Sequence, residues 1–450
     1  MARIEQLEGA AVFASWQSQL DSAPQILVGF SGGLDSTVLL TLLSDLVPAQ
    51  RLCAVHINHG LSVNADQWQS HVDSFCQSLG VQLHCETVSV KAAGEGLEAA
   101  AREARYRVFS RLIQPHGLLV LGHHADDQVE TVLYRLLRGS GNRGLSGIPV
   151  SRSLAGGRVI RPLLQWQKAQ IQDFAERRHL VWVEDETNLQ STFDRNYLRN
   201  QVIPAIANRW PDYTRRISHS AQLSKDNGDL AETVAADDLQ TLKVKVERGG
   251  WSLCLDTFTA LSALRQRNVL RHWPGVYQLP LPGHKIINEV IDSIVKARDD
   301  ATPKVLSQSL QWGRFRNRLY LLSAMPDCGE VYEDLHWHTE LPLSLPDGSC
   351  LRGEKHLGQG LLIPSGQPLT VRMRSGGERC QPAERRHSTS LKKLLQEYNL
   401  EPWWRDRIPL LYAGQQLVAV GDLWVCAGYQ ASSDQQGILI YWHLSPQVDY

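Results

Sequence analysis

Ser31, Asp35 and Ser36 surround a glycine pair in Ser31-Gly32-Gly33-Leu34-Asp35-Ser36, a set of residue types suited to holding phosphate. Adjacent glycines allow positive φ and let an anion approach the backbone, and the two serines add hydroxyl donors. The free amides and positive dipole end of a helix starting here would complete an anion site. A Walker A loop would continue with Lys-Ser or Lys-Thr, whereas this turn continues with an aspartate. A carboxylate beside phosphate oxygens is repulsive unless a divalent cation lies between them, so magnesium is implied, with Asp35 as a ligand.

A second group of reactive residues is Gly122-His123-His124-Ala125-Asp126-Asp127-Gln128-Val129-Glu130-Thr131. Spacings of three (Asp127, Glu130) and four (Asp126, Glu130) put these carboxylates on one face of a helix start. Acids there are often only caps and dipole partners. Two histidines with three acids also suit other tasks. They could hold magnesium together with Asp35, bind a substrate ammonium, or remove its proton, since an amine near its reference pKa of about 10.4 is a poor nucleophile until deprotonated.

These residues need a scaffold. Gln25–Phe30 is an apolar run suited to a buried strand, and Val38, Leu39, Leu42 and Leu43 suit a following helix. Strands are expected at 51–57, 81–88 and 118–121, and helices at 64–79, 96–114 and 126–138, after a short leading helix within 1–24. The alternation predicts an α/β fold with a doubly wound parallel sheet, in which ligands collect at the carboxyl ends of strands. Both reactive stretches fall there. Gly139–Gly147 formally contains G-x-G-x-x-G but follows a helix, so a mobile loop is expected, with Arg135, Arg138 and Arg143 either meeting phosphates or lying on an ordinary polar face. Arg161–Leu164 reads as a strand, 167–178 as a helix, 182–188 as a polar loop, and Phe193–Ile203 as a helix stopping at Pro204. An acidic, alanine-rich helix over 222–240 leads out of the first domain. Helical patterns at 261–273 and 284–297, mixed with a short strand at Arg318–Leu322, make the middle region mainly helical. Beyond 325 the chain looks β-rich and mixed.

At 450 residues two or three domains are expected, with boundaries 1–220, 221–325 and 326–450. With 46 Lys and Arg against 47 Asp and Glu there is no global basic field, so any RNA site must be local. The segment 371–407 is such a patch. Its nine cations (Arg372, Arg374, Arg379, Arg385, Arg386, Lys392, Lys393, Arg405, Arg407) outnumber five acids and interleave with Tyr398, Trp403 and Trp404. Basic residues with aromatics can bind an RNA backbone and stack on bases; the tryptophans equally suit a core. No two of the eight cysteines are separated by two residues, which rules against a zinc ribbon or a CxxC pair, and scattered thiols fit a reducing cytoplasm. No run approaches membrane-spanning length, so no membrane partner is expected.

Ser31–Ser36 resembles the PP-loop of the ATP pyrophosphatase superfamily, whose members cleave ATP between its α- and β-phosphates and form adenylated intermediates. Taken with His56–Leu61 (HINHGL), Glu98–Tyr106 (EAAAREARY), GHHADDQVET, Arg135–Gly147, Asp185–Pro204 and the tail motifs at 372–379 and 391–411, the chain resembles the tRNA(Ile)-lysidine synthetase family along nearly its whole length. The resemblance implies ATP-dependent ligation of free L-lysine to C2 of the wobble cytidine of an isoleucine tRNA with a CAU anticodon, through an adenylated cytidine. It also implies roles for individual residues. Ser31, Gly32, Gly33, Leu34, Asp35 and Ser36 would bind ATP; Asp35 and Asp127 would take Mg2+. Asp127 and Glu130 would serve lysine or the metal, Asp126 the substrate, and Arg102 or Arg105 the phosphate charge or tRNA. Arg195, Asn196 and Arg199 would lie near the cytidine. Arg138, Arg143, Arg372, Arg374, Arg379, Lys392 and Lys393 would contact tRNA, through two smaller C-terminal domains. The turn after Arg379 (Cys380–Arg386) departs from the family pattern. A homodimer stays open.

Overall fold

The computed structural model describes residues 11–60, 64–89, 97–184, 194–298, 301–307, 309–324, 334–363, 368–444. They form two compact units, meeting in sequence at Asp229/Leu230. That junction and the boundary expected at residue 220 fall in one helix, Tyr213–Thr241. The boundary expected at 325, the Asp185–Asn188 stretch and the start of the leading helix lie outside the described residues.

The first unit is built on a six-stranded sheet of order β3-β2-β1-β4-β6-β5. Its strands are β1 (Ile26–Gly29), β2 (Leu52–Asn58), β3 (Gln82–Thr87), β4 (Leu118–Val120), β5 (Ser151–Leu154) and β6 (Gly157–Ile160). All neighbours pair in parallel except the β5–β6 hairpin at one edge. Helices α1 (Gln17–Ser22), α2 (Leu34–Ser44), α3 (Ala65–Leu79), α4 (Leu97–Leu112) and α5 (Ala125–Leu137) connect or flank the strands. The side-chain alternation of β1 shows why both faces are covered. Ile26 and Val28 join Leu39, Leu43 and Phe174 on one side, while Leu27 joins Val55, Phe109 and Leu119 on the other. Each such buried aliphatic contributes roughly 1.5–3 kcal/mol. β1 is the switch point: the chain leaves it toward β2 on one side and reaches β4 on the other, so the turns after β1 and β4 are neighbours.

Four local expectations are corrected. Gly139–Gly147 is not a free loop: it folds into a short helix, α6 (Asn142–Leu145), and Arg135 donates to the carbonyls of Gly144 (3.0 Å) and Gly147 (2.7 Å), so this guanidinium is an internal clamp. Arg161–Leu164 is not a strand, because Pro162 has no amide to give a ladder; Pro162–Gln165 is a 3-10 turn after β6. The helix begun at Asp194–Tyr197 does not stop at Pro204. A π-turn over Leu198–Val202 passes directly into Ile203–Arg209, placing Pro204 in a first turn whose amides need no intrahelical acceptor. The middle region is richer in sheet than its helical patterns suggested.

That region carries an antiparallel sheet of order β7-β8-β11-β10-β9, from β7 (Lys245–Glu247) and β8 (Gly250–Cys254) to β9 (Lys304–Ser307), β10 (Leu310–Phe315) and β11 (Arg318–Ser323). The helices Ala263–Val276 and His284–Glu289 supply Trp273 and Ile287 to its core, where Trp273 meets Trp312 edge to face at 5.9 Å. The described residues from 334 on form a five-stranded, a three-stranded and a two-stranded antiparallel sheet around Trp337, Trp404 and Trp442, with the helix Leu391–Glu397. Among the described residues the cysteines are free, and no helix is long and apolar enough to cross a membrane.

Gly250 faces Leu322 across β8 and β11, and a Cβ there would lie 2.1 Å from the Leu321 carbonyl oxygen. Backbone cannot yield as a flexible side chain does. Gly250→Ala is expected to lower the thermal midpoint of the second unit's transition by about 6–12 °C in calorimetry; an unchanged midpoint would show that this strand pair is not fixed as described.

Candidate functional site

The first reactive turn follows β1. Gly32 adopts φ +83°, a region that favours glycine, and its carbonyl accepts the Val183 amide at 2.9 Å. Ser36 Oγ donates to the Gly33 carbonyl at 3.0 Å and lies 3.1 Å from Ser31 Oγ, so the two hydroxyls brace the turn. From Ser36 to Leu43 α2 is buried, which fixes its amino end and Asp35 in place.

The second turn follows β4. A side chain at Gly122 would place its Cβ 3.1 Å from the Asp35 carbonyl oxygen, so the absence of one lets the two turns touch. His124 then caps α5. Its amide donates to Asp127 Oδ2 at 2.9 Å, and Nδ1 lies 3.2 Å from the Asp126 amide. In the neutral ring Nδ1 accepts that amide; in the charged ring it turns to Asp126 Oδ2, 3.4 Å away. Nε2 stands 3.6 Å from both Asp35 Oδ1 and Asp127 Oδ2. Burial opposes the charge on His124, but Asp126, Asp127 and Asp35 outweigh it and hold the imidazolium up to about 9. Burial pushes the Asp35 carboxyl above its usual range against the pull of His124, and its Oδ1 is buried with no hydrogen-bond partner.

The π-turn brings a cation to the same place. Arg199 grips the buried Glu130 with two parallel hydrogen bonds, Nε to Oε1 at 2.5 Å and Nη2 to Oε2 at 2.8 Å, and lies 3.8 Å from Asp127 Oδ1. A fork held this way has a fixed direction. Asp126 is pinned by the Lys168 amide at 2.8 Å and the Tyr213 hydroxyl at 3.2 Å. Neither partner was legible beforehand, since one is a backbone group and the other lies 87 positions away.

Buried side-chain atoms lacking a partner gather at this edge of the sheet: Asp35 Oδ1, His59 Nδ1, His71 Nε2 and His123 Nδ1. Unpaired buried polar atoms in such a cluster fit a ligand that supplies the partners. Burial lowers His123 to about 4, with Asp127 opposing and Arg161, Arg102 and Arg105 reinforcing, which places Arg102 and Arg105 within electrostatic reach of the site. Arg195 and Asn196 precede the π-turn, with the Arg195 guanidinium 5.7 Å from the Tyr134 ring. The structure therefore brings Ser31–Ser36, Asp126, Asp127, Glu130 and Arg199 together.

The tRNA-contact candidates divide by environment. Arg138 and Arg143 are exposed on the first unit. On the second, Arg379, Lys392 and Lys393 are exposed; Arg372 pairs with Asp334 (Nε to Oδ2, 3.0 Å) beside the Tyr412 ring. Arg374 is turned inward to Asp406 at 2.9 Å and to Glu378, whose carboxylate accepts the amides of Ser375 (2.6 Å) and Gly376 (2.8 Å). Trp404 is core, and Trp403 packs edge to face on Tyr320 at 4.9 Å. The acid-closed Ser375-Gly376 turn was not visible as such in the sequence.

If the contact at Gly122 sets the geometry of the phosphate turn, Gly122→Ala will weaken ATP binding by about tenfold in equilibrium titration while leaving the circular-dichroism spectrum intact. Unaltered affinity would mean the two turns are positioned independently.

Three family models match the chain: a PP-loop domain over residues 6–206, a TilS substrate binding domain over 253–320, and a TilS substrate C-terminal domain over 369–442. Among curated proteins, tRNA(Ile)-lysidine synthase of Coxiella burnetii is 36% identical over 423 residues, 93% of each chain. The protein of that name from Serratia proteamaculans is 37% identical over 431 residues, covering 94% of this chain and 97% of the relative. With the phosphate turn and acidic helix start joined at the switch point of the sheet, and likeness extending through both units, the chain belongs to the tRNA(Ile)-lysidine synthase family.

Proposed function

We propose that this protein ligates free L-lysine to C2 of the wobble cytidine in a CAU-anticodon isoleucine tRNA, using ATP and Mg2+, in the cytoplasm. One observation carries the reading: Asp35, on the phosphate turn, and Asp127, on the acidic helix start, each reach within 3.6 Å of a single atom, His124 Nε2. In the reaction the cytidine C2 oxygen attacks the α-phosphorus and pyrophosphate leaves. The lysine ε-amine then attacks C2, loses a proton, and AMP departs with that oxygen.

The residues suit these demands. The amides of Gly32–Ser36 and the Ser31 and Ser36 hydroxyls would receive phosphate oxygens. Asp35 and Asp127 would hold magnesium, and the partnerless buried Oδ1 of Asp35 fits that use. Among the described residues no three His, Cys, Asp or Glu side chains form a metal site by themselves, so phosphate oxygens would complete the shell, as is usual for this ion. When bound, the ion would offset negative charge between carboxylates and phosphates. Glu130 aims Arg199, which with Arg105 would meet the charge developing on phosphate, while Arg102 would meet tRNA. Asp126 would receive the lysine ammonium, and Arg195 and Asn196 the cytidine. Segments 221–325 and 326–450 would hold the tRNA, with Arg138, Arg143, Arg372, Arg379, Lys392 and Lys393 at its phosphates and Arg374 shaping the 374–378 turn.

Incubation with ATP, labelled lysine and unmodified tRNA tests the reading. Lysine in the tRNA supports it; sulfur transfer, or retention of tRNA without chemistry, replaces it with a thiolase or a binding protein. Asp35→Ala is expected to cut lysine transfer on the order of a thousandfold or more while tRNA affinity stays within about twofold. Loss of tRNA binding alone would remove the metal role assigned to Asp35.

A further inference from the structure

On the β5–β6 side of the site, four arginines approach one another without a carboxylate. Arg161 is 1% exposed; its Nη1 donates to the Pro149 carbonyl at 2.7 Å and its Nη2 to the Tyr106 hydroxyl at 3.1 Å, while Nε is buried with no partner. Over the Tyr106 ring lie the guanidinium of Arg152, 4.2 Å from the centroid, and that of Arg102, at 5.2 Å. Arg135 and Arg102 are close enough to repel. None of Arg102, Arg135, Arg152 and Arg161 makes an ion pair with a carboxylate among the described residues. Concentrating like charges around a half-buried phenol is unfavourable unless an anion joins them. Burial resists ionisation of Tyr106, yet the three neighbouring guanidinium groups bring it below its usual range, a sign of how positive the spot is.

We propose that Arg152, Tyr106 and Arg102, backed by Arg161, form a phosphodiester site that receives the tRNA backbone next to the catalytic turns. Tyr106 and Arg161 act as positioning residues: the buried guanidinium holds the phenol, and the ring holds Arg102 and Arg152 at the surface, where they can meet phosphate. Both of those arginines are exposed. The location favours a polymer over the nucleotide triphosphate. β5 is the edge strand, three inter-strand spacings from β1, roughly 14 Å from the strand that carries the phosphate turn. An RNA strand with its reactive base at the turns would carry neighbouring phosphates across that span.

The inference rests on the tRNA reading above, and its test separates the two. With the full-length protein and unmodified CAU-anticodon tRNA, Arg152→Ala should weaken tRNA binding about five- to tenfold and lower the slope of log K against log salt by about one, with KM for ATP and for lysine unchanged. Arg152→Lys should restore the slope, which a merely structural residue would not. If the alanine protein melts early, Arg152→Gln supplies the same measurement. Unchanged tRNA affinity and slope would overturn the site, and a raised KM for ATP with tRNA binding intact would assign the cluster to the nucleotide instead. If the wild-type protein transfers no lysine, the functional reading itself fails, whatever Arg152 does.

Discussion

Negative charge packed at one edge of a sheet is the constraint from which the rest of the catalytic unit follows. Asp35, Asp126, Asp127 and Glu130 lie at or near the adjoining turns after β1 and β4, and the cations in contact with them are His124 and Arg199. Burial makes this costly, as the raised Asp35 and Glu130 carboxyls show. Two devices hold the arrangement. His124 caps α5 and faces three carboxylates, and the π-turn swings Arg199 onto Glu130. A charge excess that remains when those contacts are made is a reason for a site to accept a cation and the phosphates it accompanies.

Seen this way, the fold divides its labour by strand. β1 and β4, adjacent and parallel, deliver the two turns; β6 and the edge strand β5 deliver arginines. Gly122 matters for its missing side chain, because the Asp35 backbone occupies that space. The second unit handles charge differently. Its middle and last segments are linked by Arg248, which pairs with Asp422 at 2.8 Å and stacks 4.0 Å from the centroid of Trp442. Several of its basic residues are spent on such internal pairs, while Arg379, Arg386, Lys392 and Lys393 of the 371–407 segment lie on the surface.

The sequence disclosed most of this where period and turn chemistry agreed. The first four strands, their helices and both reactive turns could be placed because apolar runs ended in glycine or acidic caps. It was less informative where an element's cause is tertiary. β5 and β6 are four residues each and carry arginine and serine, so no alternation marks them, and the turn at Ala155-Gly156 alone hints at a hairpin. The π-turn was hidden because Pro204 reads as a stop, whereas here it sits in the first turn of the helical segment that follows, Ile203–Arg209. In the middle region the strand at 318–322 was legible and is β11, whereas β7 to β10 were passed over because the helical patterns lying between β8 and β9 dominated the reading. Within the site, Asp35 and Asp127 stood out by spacing; the Lys168 amide, Tyr213 and Arg161 depend on contacts between distant positions.

Anomalous diffraction from manganese, in crystals grown with the non-cleavable analogue α,β-methylene-ATP, measures the central claim most directly. The account predicts a manganese peak within coordinating distance of both Asp35 and Asp127, with the triphosphate on the amides of residues 32–36. A nucleotide seated elsewhere, or a manganese peak touching neither carboxylate, would contradict it.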